Sequence, residues 1–202
     1  MPAPAFKIFF LAASILAHSS VLQEVKGARF QLDLKYHSEN NFLKKNVYSA
    51  FGLKQCWVLP ELEEKLQKLV PLLSQERLKL ILWDCYRPLA VQEAMWKLVP
   101  DPRYVADPKK GSNHNRGAAV DVALVNENGT LLEFPTAFDD FTPKASPKYV
   151  CEENEKEKCK NRDKLIQLMS SVGLEVFPTE WWHFQLPQAS ALPVIKTLES
   201  TK

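Results

Sequence analysis

The chain has 202 residues, a length that fits one domain and leaves room for at most a small second one. Apolar residues make up 46%, enough for an ordinary hydrophobic core. A net charge of +2 excludes a strongly basic chain, so nothing points to nucleic acid or to an electrostatic membrane contact.

The first twenty residues stand apart. Met1 to Phe6 is a short segment rich in Pro and Ala, and Lys7 carries its only side-chain charge. Ile8 to Ala17 is a nearly continuous apolar run, followed by His18, Ser19 and Ser20. This is the layout of a secretory signal peptide, and the run falls short of the roughly 20 apolar residues of a membrane span. Residues 1–22 are therefore expected to be a signal peptide cut between Ala17 and Glu24, and residues 23–202 a single domain. The mature protein is expected outside the cytoplasm, periplasmic or secreted. No Cys lies in the leader, so no lipid anchor is expected.

The four cysteines, at 56, 85, 151 and 159, are an even number in a chain read as exported, which points to disulfides. Three pairings are possible. The favoured one joins Cys151 to Cys159 across a short polar loop and Cys56 to Cys85 between a helix start and a strand end.

Residues 29–36 alternate apolar and polar and predict a strand, followed by a loop through Asn40, Asn41 and Phe42. Residues 60–73 predict a helix. Pro60 suits its first position, and Leu62, Leu66, Leu69 and Leu73 form an apolar stripe that Pro71 should kink or end. Residues 78–86 predict a buried strand, and Pro88 to about Val99 a helix. Pro100 to Lys110 predicts a loop, and residues 119–125 a strand on which Ala119, Asp121 and Ala123 share a face. Asn128-Gly129 marks a turn with a return strand at 130–134. A helix is expected at 161–172, then strands at 174–177 and 181–186 on either side of Pro178. With no βαβ rhythm, the expected class is α+β: a mainly antiparallel sheet, helices packed on one face and a zinc site at the sheet.

Two stretches carry the chemistry. Gly111 to Asp121 brings His114 and Asp121 through a glycine-bearing loop into a strand, and Glu180-Trp181-Trp182-His183 supplies a second imidazole and another carboxylate. Two His and one Asp are the three protein ligands of a catalytic zinc that keeps a position open for water, and the spare Glu is the group that takes a proton from it. A carboxylate amid Ala-Ala-Val-Asp-Val-Ala-Leu is expected to be buried, where it must be paired or bound to metal; an ion pair with Arg116 is the plainer alternative. Glu180 and His183 are three apart, on opposite faces of a regular strand, so sharing one pocket requires a bulge near Glu180. Arg87 follows a buried strand and could clamp a carboxylate or polarise a carbonyl, or simply pair with Asp84 or with a helix C-terminus.

Together, Ser112-x-His114-x-x-Gly117-x-Ala119-x-Asp121 and Glu180-Trp181-Trp182-His183 resemble the VanX-like D-alanyl-D-alanine dipeptidases, whose relatives include zinc D,D-carboxypeptidases and the Hedgehog amino-terminal domain. Trp83-Asp84-x-Tyr86-Arg87-Pro88, Phe138-Asp139, Leu34-Lys35-Tyr36 and Asn41-Phe42 extend the match over about residues 30–187. The resemblance implies one Zn2+ per chain held by His114, Asp121 and His183. It implies Glu180 as general base and then acid, and Arg87 beside the oxyanion. Ser112 and Asp139 would hold the free amino end of the substrate, with Tyr36 closing the pocket. The implied reaction is hydrolysis of D-Ala-D-Ala to two D-alanines, outside the cytoplasm a step of cell-wall peptide trimming or salvage. The loop between Val99 and Gly111 is shorter than in the resistance enzymes, and Ser-Asn-His-Asn replaces their Ser-Ser-His-Ser; a shorter loop opens the pocket. Two alternatives follow: a zinc D,D-carboxypeptidase or murein endopeptidase on longer stem peptides, and a non-catalytic zinc-binding domain. Glu180 and Arg87 argue against the second, since neither is needed to retain the metal. A small peptide is the expected partner, with no nucleic acid and no membrane anchor.

Overall fold

A computed structural model describes residues 22–102 and 104–196, so the expected signal peptide lies almost wholly outside the described residues. The elements form an α+β arrangement. Strand β1 (Gln23–Glu24) pairs antiparallel with β3 (Trp57–Val58). The larger sheet has five strands: β2 (Phe30–Leu32), β4 (Leu78–Asp84), β5 (Ala119–Asn126), β6 (Glu175–Phe177) and β7 (Glu180–Gln185), in the order β2-β4-β5-β7-β6. Strand β2 runs parallel to β4; the β4–β5, β5–β7 and β7–β6 pairs are antiparallel. A parallel neighbour needs a long crossover, and the chain between β2 and β4 provides one that carries two helices.

Those helices are α1 (Pro60–Lys68) and α2 (Val70–Gln75). The sequence predicts one helix to residue 73. The structure divides it at Leu69, because Pro71 lacks the N–H that a continuous ladder would use. Glu61 and Glu63 in the first turn of α1 and Lys65 and Lys68 in its last turn complement the helix dipole. Leu62, Leu66, Leu69 and Leu73 are all fully buried, so the stripe survives the break.

Strand β4 buries Leu80 through Asp84, and β5 buries every residue except Asn126. Helix α3 (Leu89–Leu98) follows β4. Helix α4 (Lys156–Ser171) begins five residues earlier than the apolar pattern indicates, because its first turns are charged and solvated. It packs against β5, β6 and β7.

Three local expectations change. Strand β2 is shorter than predicted, and Tyr36 sits instead on a 3-10 turn, Lys35–His37, with its ring buried. The return strand at 130–134 reduces to a bridge between Val125 and Leu131. His114 lies in a 3-10 turn, His114–Arg116, closed by Gly117 at φ 63°. A Cβ on Gly117 would meet the Leu22 side chain at 2.5 Å and the Leu59 backbone nitrogen at 3.3 Å, so glycine is required by both conformation and space.

The disulfides join Cys56 to Cys85 and Cys151 to Cys159. They match the favoured pairing. No helix among the described residues is long and apolar enough to cross a membrane.

Candidate metal centre

Register builds the site. Asp84 stands opposite Asp121 across β4 and β5, and Asp121 opposite His183 across β5 and β7. Three polar residues therefore lie abreast on the central strands. The pairing of β4 with β5 shifts between Leu82 and Asp84. On the other side, Phe177 pairs with Glu180 while Val176 pairs with Phe184, an irregularity at the place where the sequence requires a bulge. It brings a Glu180 carboxylate oxygen to 3.9 Å from His183 Nδ1.

His114, Asp121 and His183 are all buried, and one ligand atom from each lies within 4.8 Å of the other two. His114 Nε2 is 3.1 Å from His183 Nδ1 and 3.3 Å from Asp121 Oδ1; His183 Nδ1 is 3.0 Å from the same oxygen. Despite these short approaches, Asp121 Oδ1 makes no hydrogen bond of acceptable geometry. An orphaned carboxylate oxygen in a buried site is costly unless a cation satisfies it.

Each imidazole is turned by its other nitrogen. His114 Nδ1 lies 2.8 Å from the Cys85 carbonyl, to which it can only donate, so Nε2 keeps its lone pair. His183 Nε2 approaches Gln185 Oε1 at 3.4 Å, and that oxygen also accepts from Asn113 Nδ2 at 2.7 Å. These three residues fit a divalent metal through N, N and O donors.

Burial alone would push the Asp121 carboxyl up, but the two imidazoles hold it below the usual carboxylate range. Glu180 behaves oppositely. Burial pushes its carboxyl up to about 7; His183 and Arg87 pull against this and Asp121 adds to it.

A cavity of about 200 Å³ opens over these groups. All eight predicted site residues line it: Tyr36, Arg87, Ser112, His114, Asp121, Asp139, Glu180 and His183. The Tyr36 hydroxyl is 3.2 Å from both oxygens of Asp139, and burial, with Asp121 nearby, raises the Asp139 carboxyl well above its ordinary range. Asp139 adopts φ 58°, a left-handed conformation that Asp tolerates better than most side chains. Ser112 Oγ accepts from the His114 backbone N–H at 3.3 Å.

Arg87 is held as the plainer reading foresaw. Its Nε and Nη2 donate to Asp84 Oδ2 at 3.0 and 2.5 Å, and its Nη1 donates to Gln92 Oε1 at 2.8 Å. Tyr48 also hydrogen-bonds Asp84. Three of the five guanidinium N–H groups are so used, which leaves two for a ligand.

Several supporting residues escape sequence reasoning. Asn115 Nδ2 donates to the Arg87 carbonyl at 2.7 Å while its Oδ1 accepts from the Ser112 N–H at 2.6 Å. Asn113 and Gln185 brace His183. Tyr104, Phe141 and Phe177 wall the cavity beside Phe42 of the Asn41-Phe42 match. Polar and aromatic loop residues have no period, so only their closeness to His114 in the chain hinted at Asn113 and Asn115.

A family model described as D-ala-D-ala dipeptidase matches residues 17–199. The chain belongs to that family. It is 32% identical over 165 residues to the D-alanyl-D-alanine dipeptidase of Escherichia coli K12, covering 82% of this chain and 83% of that one. It is 28% identical over 184 residues to the D-alanyl-D-alanine dipeptidase of Enterococcus faecium, covering 80% and 87% respectively.

Proposed function

We propose that this member of the D-ala-D-ala dipeptidase family hydrolyses D-alanyl-D-alanine to two D-alanines at a zinc site formed by His114, Asp121 and His183. The observation that carries the reading is the buried, unbonded Asp121 Oδ1 between two imidazole nitrogens at 3.3 and 3.0 Å. Two nitrogens and one oxygen at a site with room for water are the donor set of catalytic zinc.

A bound zinc ion supplies Lewis acidity and draws the pKa of water toward neutrality. The protein supplies the rest. Glu180, partly buried and beside His183, takes the proton from the attacking water and returns it to the leaving amine. Its raised pKa suits it to hold that proton between the two steps. Arg87 turns its two remaining N–H groups to the negative charge that grows on the scissile carbonyl oxygen, with Asp84 and Gln92 fixing the guanidinium plane. Asp139, steadied by Tyr36, pairs with the free ammonium of the substrate, and Ser112 flanks it.

A second cavity of about 430 Å³ shares Phe42 and Asp139 with the first. That neighbouring space favours, as a second reading, a D,D-carboxypeptidase acting on longer stem peptides. We further propose export, with a leader cut after Ala17 and before Leu22, and a role in cell-wall peptide trimming or salvage. Two disulfides support an oxidising compartment, and Leu22, buried in the fold, favours a cut on its amino-terminal side.

The test is release of D-alanine from D-Ala-D-Ala by the mature protein, with zinc, with a chelator, and in the Glu180→Ala variant. Hydrolysis lost with the chelator and in the variant is the expected result. A folded, zinc-loaded protein that leaves the dipeptide intact overturns the dipeptidase reading; cleavage of stem peptides alone would favour the second.

A further inference from the structure

We infer that the Cys56–Cys85 disulfide is a positioning element of the metal centre: it fixes the carbonyl that orients His114. The inference rests on the zinc reading above and concerns how this chain holds its own ligand. His114 presents Nε2 to Asp121 and His183 only while Nδ1 donates to the Cys85 carbonyl at 2.8 Å. Cys85 lies just past the end of β4, beyond the shifted pairing with β5, so no sheet ladder holds that carbonyl.

Other bonds hold it instead. Cys85 N–H donates to Asp84 Oδ1 at 2.9 Å, and the side chain is tied covalently to Cys56. One residue on, Tyr86 N–H donates to the Trp57 carbonyl at 2.8 Å, and Arg87 N–H donates to the His114 carbonyl at 3.1 Å. Cys56 is itself fixed, since its carbonyl accepts from Val25 N–H at 2.9 Å. Leu59 N–H donates to the Gly117 carbonyl at 2.8 Å, at the end of the turn that carries His114. Residues 56–59 thus form a strap fastened on one side to the segment after β4 and on the other to the His114 turn. The disulfide is its covalent fastening, and both cysteines are buried.

A competing partner makes the position matter. Asp84 Oδ2 is 3.6 Å from His114 Nδ1, beyond hydrogen-bond reach and already taken by Arg87. If the Cys85 carbonyl drifts, the Nδ1 proton turns toward that carboxylate and Nε2 swings out of line with Asp121. A bond that orients a ligating imidazole typically contributes about 10- to 100-fold in metal affinity. The second disulfide provides an internal control. Cys151–Cys159 closes a loop at the start of α4, and no residue of that loop lines the site cavity.

The experiment compares zinc affinity, by competition with a chromophoric chelator, in the wild type, in Cys56→Ser/Cys85→Ser and in Cys151→Ser/Cys159→Ser. Each is measured where circular dichroism reports a folded metal-free protein. The expected result is a loss of about 10- to 100-fold in the first variant and less than about twofold in the second, with hydrolysis by the first recovering as zinc is raised. Cobalt substitution should show altered ligand-field bands in the first variant only. Wild-type affinity in folded Cys56→Ser/Cys85→Ser overturns the inference. If that variant does not fold, nitrogen-15 imidazole spectra of the zinc-loaded wild type decide the matter. A proton on His114 Nδ1 with metal on Nε2 supports the proposal, and the reverse assignment overturns it. A wild type that binds no zinc sinks the functional reading as well, whereas a wild type that binds and cleaves beside an unaffected variant sinks only this one.

Discussion

Replacing Glu180 with Gln should make the metal-free protein more stable at neutral and alkaline pH while it destroys activity. The carboxyl titrates near 4.5 when unperturbed and at about 7 in the fold, because burial penalises its charge. A folded pKa above the unfolded one means that the native state binds the proton more tightly. The stability linked to that proton is fully present below pH 4.5 and is lost as pH rises through 7. At 1.36 kcal/mol per unit the shift corresponds to about 3 kcal/mol, and the partial exposure of the side chain reduces this to about 2–3 kcal/mol. Glutamine keeps the shape and cannot ionise. In a chelating buffer with disulfides intact, the two proteins should have equal stability at pH 4 and diverge above it. At pH 8 the Gln variant should melt higher by roughly 4–12 °C, at the 2–4 °C per kcal/mol typical of this size. Activity of the zinc-loaded variant should fall by about 10²- to 10⁴-fold. Parallel stability curves for the two metal-free proteins between pH 4.5 and 8 would refute the claim that burial raises this carboxyl.

Removing zinc should abolish hydrolysis. Restoring it at about 1,000 times its dissociation constant should stabilise the fold by about 4 kcal/mol, read as a concentration-dependent rise in Tm. Asp139→Asn should raise KM for D-Ala-D-Ala by about 10- to 100-fold, the worth of one charge-assisted hydrogen bond, while zinc affinity in the chelator competition stays near wild type. Gly117→Ala should cost about 1–3 kcal/mol in urea unfolding, because φ 63° strains an L residue and the new Cβ meets Leu22 and Leu59; an unchanged midpoint would contradict the tight packing of that turn.

Much of this is legible in the amino-acid sequence, for identifiable physical reasons. The Leu62, Leu66, Leu69, Leu73 stripe is a local period, and Pro71 a local breaker, so helix and break both follow from the chain itself. Asp121 announced itself as a carboxylate inside an apolar strand, and Pro178 preceded the irregularity that Glu180 requires. What stayed hidden depends on contacts between distant segments. That His183 stands opposite Asp121 is a statement of register between strands 62 residues apart, and nothing near either residue encodes it. The grip of Asp84 on Arg87 could be named only as one of two options, because the same guanidinium serves an ion pair and a substrate equally well on paper. The strap at 56–59 was invisible for the same reason: its function lies in bonds to residues 85, 86 and 117.

The row formed by Asp84, Asp121 and His183 explains why the site tolerates so much buried charge. Taken singly, Asp84 and Asp121 would each be costly in the middle of a sheet. Asp84 is satisfied by Arg87, Tyr48 and the Cys85 N–H. Asp121, by contrast, keeps an oxygen with no hydrogen-bond donor. Two carboxylates in equivalent register positions on adjacent strands thus meet different fates: one anchors the scaffold, and the other is left for a cation. Asp121 faces the cavity from within an apolar strand, so its unbonded oxygen is open to a cation. An Asp121→Asn variant should therefore lose zinc affinity, and because the two imidazoles hold the carboxyl below its usual range, its metal-free form should also be less stable than the wild type at neutral pH. Equal stability of the two metal-free proteins at about pH 7 would show that the imidazoles do not favour the ionised carboxylate.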